Sequence, residues 1–211
     1  LTAKNGGEPG SNFGLRMAIE KARSANMPKE NIDRAIKRGM GELGGVEISE
    51  VIYEILGPLG VGIVVEAVTD NRNRTNSEIK ILLGKLGGKL TSPGAVTYQF
   101  SRMGKLIVDT SSGNREDLEL KIIDAEAEDF EEHGDTLAVY TKPNELEKVK
   151  RQLETADIEM KEASLVWEPK NLIKIDDPEV ATKILKIMEA LENLDDVTVV
   201  SANFDIREDL L

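Results

Sequence analysis

The sequence predicts a multidomain α+β protein: an N-terminal helical domain, then an α/β domain interrupted by a second, inserted domain. Three observations predict it. Apolar residues recur at helical spacing between Leu15 and Ile36, the period shifts to that of strands from Val51, and residues 104–169 read in the order β-α-β-β-α-β.

Leu15, Ala18, Ile19 and Ala22 form one apolar stripe on a helix ending near Asn26. Pro28 suits the first position of a second helix, Ile32, Ala35 and Ile36 its buried face, and Gly39 its stop. GMGELGG (Gly39 to Gly45) is a linker, so residues 1–43 form the helical domain. VIYEIL and VGIVVEAVT are strands around the turn GPLG. Thr75 and Glu78 have capping-box spacing ahead of a helix with Ile79, Leu82, Leu83 and Leu86 inward. Gly87 and Gly88 end it, and AVTYQF (Ala95 to Phe100) reads as another strand.

Next come a strand KLIVD, a helix from Asn114 to about Ala125, a strand EAEDF, a turn EEHGD and a strand TLAVYT. A helix from Pro143 to about Ala156 and a strand EMKEASLVW complete the ferredoxin-like order. Asp177 and Pro178 then open a helix with Val180, Ile184, Ile187 and Leu191 inward, and VTVVSANF is a final strand. This helix and strand have no hairpin of their own to pack on. They are expected to return to the earlier sheet, so that residues 46–103 plus 170–211 form the α/β domain and 104–169 a ferredoxin-like insertion.

Composition narrows the function classes. The 211 residues are 40% hydrophobic, enough for ordinary cores, and no stretch has the length of apolar residues that a spanning helix needs. With no cysteine and one histidine, His133, thiolate sites and most metal or acid–base designs are excluded, and a reducing compartment is favoured. The formal net charge of -12 argues against a nucleic-acid partner, but its distribution argues for one. Residues 1–41 carry 8 Lys/Arg against 4 Asp/Glu and residues 70–104 carry 6 against 2, whereas residues 105–169 carry 8 against 18.

Within the first basic segment, Lys29, Arg34, Lys37 and Arg38 fall off the apolar stripe of the second helix and suit phosphate contacts, although Glu30 and Asp33 interrupt them. A solvated amphipathic helix is the competing reading. In the second, TDNRNRT (Thr69 to Thr75) sets Arg72 and Arg74 at a helix start, where guanidinium groups and free N–H groups together favour an anion. There the competing reading is that Asp70 and Glu78 neutralise the arginines while Asn71 and Asn73 shape a turn.

Other patterns carry less. The glycine-rich turns lack the phosphate-loop spacing, and the acidic run from Glu126 to Asp135 lacks that of a calcium loop. The inserted unit offers only Tyr140 on a central strand, too little for an RNA-stacking platform. No nucleophile stands in a G-x-S-x-G elbow. No enzyme activity, cofactor or metal is expected.

SANMPKENIDRAIKRG (Ser24 to Gly39), GELGG, EAVTDNRNRT (Glu66 to Thr75) and GGKLTSPGAVTYQF (Gly87 to Phe100), in this succession, resemble the YebC/PmpR family. The resemblance runs over essentially the whole chain. It implies the same three-part fold and a DNA-binding transcriptional regulator, or alternatively a translation factor that relieves stalled ribosomes. It also implies a cytoplasmic setting in bacteria and a mitochondrial one in eukaryotes. Family members carry a segment rich in Lys, Arg and His ahead of the position of Leu1, so the helical domain is expected to be N-terminally incomplete here. The expected partner is nucleic acid, DNA or ribosomal RNA, extending to the ribosome, and not a membrane; a protein-contact role for the acidic insertion is the remote alternative. The residues expected to meet phosphates are Arg16, Lys21, Arg23, Lys29, Arg34, Lys37, Arg38, Arg72 and Arg74.

Overall fold

The computed structural model describes residues 2–42, 48–110 and 115–207. Residues 43–45 of the predicted linker and the predicted helix start at Asn114 lie outside the described residues. The chain divides into two compact units, Leu1–Ser101 with Glu168–Leu211, and Arg102–Trp167.

In the first unit, helices α1 (Phe13–Ser24) and α2 (Lys29–Gly39) form the expected hairpin. Asn12 caps α1 by accepting the N–H of Leu15 at 3.0 Å. Leu15, Ile19 and Ile32 are buried with Ala3, and Ala22 and Ile36 pack partly against them. Ala18 and Ala35, expected inside, are exposed. The core is smaller than the stripe suggests, with both of these alanines left outside it.

The α/β part is a sheet of order β3-β1-β2-β9, formed by β1 (Ser49–Leu56), β2 (Gly62–Thr69), β3 (Lys89–Leu90) and β9 (Val197–Ala202). The final strand therefore returns to the first sheet, antiparallel to β2, as its lack of a local partner predicts. Helices α3 (Arg72–Leu86) and α6 (Pro178–Glu192) supply the other half of one core. Ile55 and Ile63 from the sheet, Ile79 and Leu83 from α3, and Ile184, Ile187 and Leu191 from α6 are all essentially inaccessible to solvent. Each such side chain contributes roughly 1.5–3 kcal/mol by burial. Gly87, at φ 83°, ends α3 in the left-handed conformation that a side chain would disfavour.

Three local expectations change. Helix α3 starts a turn earlier than the capping-box spacing predicts, because Asn71 and not Thr75 is the cap, accepting the Arg74 N–H at 3.1 Å. AVTYQF is not a strand throughout: Thr97–Gln99 is a single 3-10 turn, and β4 (Phe100–Asp109) begins after it. The cause is Glu54 on β1, a buried carboxylate that accepts the N–H groups of Gly94 and Val96 at 2.6 Å and of Thr97 at 2.8 Å. That demand bends the backbone away from strand geometry. VTVVSANF is likewise split at Asn203, whose side chain accepts the Gly62 N–H at 2.7 Å, leaving β10 (Phe204–Ile206) to pair in parallel with β8 (Ile173–Ile175).

The second unit is a sheet of order β5-β6-β4-β7, with β5 (Asp129–His133), β6 (Thr136–Thr141), β7 (Met160–Pro169) and helices α4 (Arg115–Asp124) and α5 (Leu146–Thr155). This is the ferredoxin-like arrangement. Strand β5 runs three residues beyond the predicted EAEDF, so His133 is in the ladder opposite Thr136 and not in the turn. Gly104 on β4 is required by packing: a Cβ there would collide with Thr141 and Leu146.

Candidate nucleic-acid interface

At 3.6 residues per turn, Arg34, Lys37 and Arg38 lie within about 100° of one another on α2, on the side away from Ile32 and Ile36. Glu30 shares that face, whereas Lys29 and Asp33 lie nearer the apolar stripe. On α1, Lys21 and Arg23 flank the buried stripe on opposite sides. All six of these cations, Lys21, Arg23, Lys29, Arg34, Lys37 and Arg38, are exposed, and their side chains make no ion pair or hydrogen bond within the described chain. Arg16 differs. Its guanidinium donates to the carbonyls of Pro9 at 2.7 Å and Gly10 at 3.3 Å and lies 5.6 Å from the centre of the Phe13 ring, holding the turn ahead of α1.

The start of α3 carries its arginines in the first turn of the helix, not in a loop before it. Arg74 Nη2 donates to both carboxylate oxygens of Asp196 at 2.9 Å and lies 3.1 Å from Asp70. Asp196 also accepts from Thr75 Oγ1 at 2.6 Å and Thr69 Oγ1 at 3.0 Å. Burial alone would push the Asp196 carboxyl up; the hydrogen bonds from Thr75, Arg74 and Thr69 outweigh it and hold the group below the ordinary carboxylate range. The competing reading of TDNRNRT therefore describes Arg74, with a stronger partner than Asp70 or Glu78. Arg72 donates through Nε to Ser49 Oγ at 3.0 Å, and among the described residues no carboxylate pairs with it. Asn71, as the cap, uses its own oxygen on the helix N–H that an anion would otherwise take.

The nine expected residues thus fall into three groups: six on the hairpin with no partner among the described residues, Arg72 half engaged at α3, and Arg16 and Arg74 held by internal partners. Sequence reasoning missed Asp196, which stands 122 positions from Arg74 and belongs to no local pattern.

In the second unit Tyr140 offers no platform. It is buried, its hydroxyl donates to Glu131 at 3.2 Å, and Lys105 Nζ lies 5.2 Å from its ring centre. Exposed His133 faces Glu131 at 3.6 Å. Among the described residues no three His, Cys, Asp or Glu side chains gather to hold a metal ion, and no helix is long and apolar enough to cross a membrane.

Comparison with known proteins agrees along the chain. Residues 1–42 match the model of the TACO1/YebC protein N-terminal domain and residues 48–204 that of the TACO1/YebC second and third domain. A probable transcriptional regulatory protein of Halothermothrix orenii is 44% identical over 210 residues, covering 99% of this chain and 83% of that one. Another, from Aquifex aeolicus, is 45% identical over 210 residues, covering 100% and 84%. A crystal structure of a conserved hypothetical protein from Aquifex aeolicus superimposes with a TM-score of 0.91 at 45% identity, covering 98% of this chain and 85% of that one. The chain belongs to the TACO1/YebC family.

Proposed function

We propose that this protein is a non-enzymatic regulator of gene expression that binds nucleic acid through the α1–α2 hairpin, with duplex DNA as its target. The observation that carries this reading is the set of six exposed hairpin cations that have no partner among the described residues, in a chain with a net charge of -12. An acidic protein that holds these cations exposed on one small hairpin, with Arg34, Lys37 and Arg38 together on one side of α2, keeps them for an anion, and phosphates are the anions that clustered Lys and Arg suit. The names of the relatives, probable transcriptional regulatory proteins, support the same reading. Arg72, engaged with Ser49 at the start of α3, stands apart from this surface, and Arg16 and Arg74 serve the fold.

Phosphate contacts position a protein without reading bases, so this surface supplies affinity and not sequence choice. The test is a binding titration of mixed-sequence duplex DNA and of a ribosomal RNA helix at several salt concentrations, beside sedimentation with ribosomes. Binding to DNA that weakens steeply with salt, without ribosome comigration at moderate salt, is the expected result. Comigration with ribosomes and preference for the RNA helix would replace transcription with translation as the setting. Salt-independent binding would remove the hairpin from the account.

A further inference from the structure

Strand β1 lies next to the sheet's edge, and its covering strand is short. β3 pairs only with Ile55 and Leu56, and Thr91 then donates its N–H to the Glu54 carbonyl at 2.8 Å. Beyond that point the chain turns away, pinned by the bonds to the Glu54 carboxylate, and Pro93 has no N–H to offer. The Glu54 carbonyl points away from β2, so by strand alternation the N–H and C=O of Ile52 point the same way, and among the described residues they meet no partner. They face a cleft of about 270 Å³ lined by Ile52, Arg72, Asn73, Asn76, Leu90 and Pro93, among others.

The cleft's chemistry selects an occupant. Ile52 is 46% exposed, an apolar side chain where proteins usually guard an open edge with charge or proline. On the other side of the edge, α3 supplies Arg72 and the amides of Asn73 and Asn76. Arg72 spends only its Nε on Ser49, and the nearby Glu54 carboxylate is saturated by backbone N–H groups. A backbone donor and acceptor at strand spacing, an apolar contact on one face and a guanidinium on the other match a chain that repeats amides and carries a carboxylate. We propose that the outer edge of β1 from Ser49 to Tyr53 receives an extended acidic peptide segment of a partner protein as an added strand, its carboxylate on Arg72. This site is separate from the hairpin and does not depend on the nucleic-acid reading.

The test selects binders for the full chain from displayed random short peptides and measures them against wild type, Arg72→Glu and Ile52→Pro. Recovered peptides are expected to carry Asp or Glu, to lose roughly tenfold or more in affinity with Arg72→Glu, and to lose binding with Ile52→Pro. Hydrogen exchange at the Ile52 amide slows when they bind. Should Ile52→Pro fail to fold, a selected peptide N-methylated at the amide that meets the Ile52 carbonyl carries the same test, with binding lost. Recovery of no peptide, peptides indifferent to both variants and to N-methylation, or a single-stranded oligonucleotide that protects the Ile52 amide where no peptide does, would each overturn the proposal.

Discussion

The α1–α2 hairpin and the first turn of α3 are the two basic regions of the molecule, and they treat their cations in opposite ways. At α3, Arg74 is clamped by Asp196 and Asp70, and the two threonines beside it complete the same carboxylate. On the hairpin, Arg34, Lys37 and Arg38 face solvent with no partner among the described residues. The same residue types thus serve the fold in one place and remain available in the other. What separates them is a distant acid, so the strength of a local basic motif says little until its long-range partners are known.

The largest effect is expected where the clamp is removed. Asp196→Ala removes the acceptor that Arg74, Thr69 and Thr75 share, and should cost about 2–4 kcal/mol of stability in urea unfolding. A hairpin variant, Arg34→Gln with Lys37→Gln and Arg38→Gln, should move the same midpoint by less than about 0.5 kcal/mol. Equal losses from the two would break the comparison.

Acid should sharpen it. Burial would raise the Glu54 carboxyl, but the N–H groups of Gly94, Thr97 and Val96 and the Thr97 hydroxyl outweigh it, and its pKa is depressed as that of Asp196 is. A depressed folded pKa contributes stability that is present above the unfolded value, near 4, and is lost as pH falls through the folded one. Stability should therefore decline below about pH 4, and Glu54→Gln or Asp196→Asn should each flatten that decline. The hairpin variant should leave it unchanged, and unfolding curves measured across the acid range separate the three.

A smaller effect distinguishes the two arginines of TDNRNRT. Arg74→Ala should lower stability in thermal or urea unfolding, by an amount limited by solvent screening because the side chain is 45% exposed. Arg72→Ala, with one hydroxyl partner, should cost about half of that. The reverse order would mean that the clamp on Arg74 is not the stabilising contact.

Much of this architecture was legible in periodicity. The hairpin, the two β1–β2 strands, the β-α-β-β-α-β order and the return of the last strand all follow from spacing of apolar residues, because those patterns are local or have one economical solution. Ala18 and Ala35 mark its limit, since stripe membership does not guarantee burial for a small side chain. The turn at Thr97–Gln99 was illegible because its cause, Glu54, lies about forty positions upstream and acts through backbone N–H groups. The cap at Asn71 was in plain sight but competed with a more regular capping-box spacing at Thr75. For the candidate site, the hairpin cations were readable as residues off the stripe; the fates of Arg16 and Arg74 were set by carbonyls and by Asp196, which no pattern around them announces.

In the proposed interface the hairpin cations, and not the clamped arginine, meet phosphate. The salt dependence of affinity for a mixed-sequence DNA duplex tests it most directly. With six phosphate contacts the log–log slope should be about -5, and the triple hairpin variant should reduce its magnitude by about 2.7 while Arg74→Ala leaves it unchanged. A slope near zero, or one that Arg74→Ala alters and the hairpin variant does not, would mean that the hairpin is not the phosphate-binding surface.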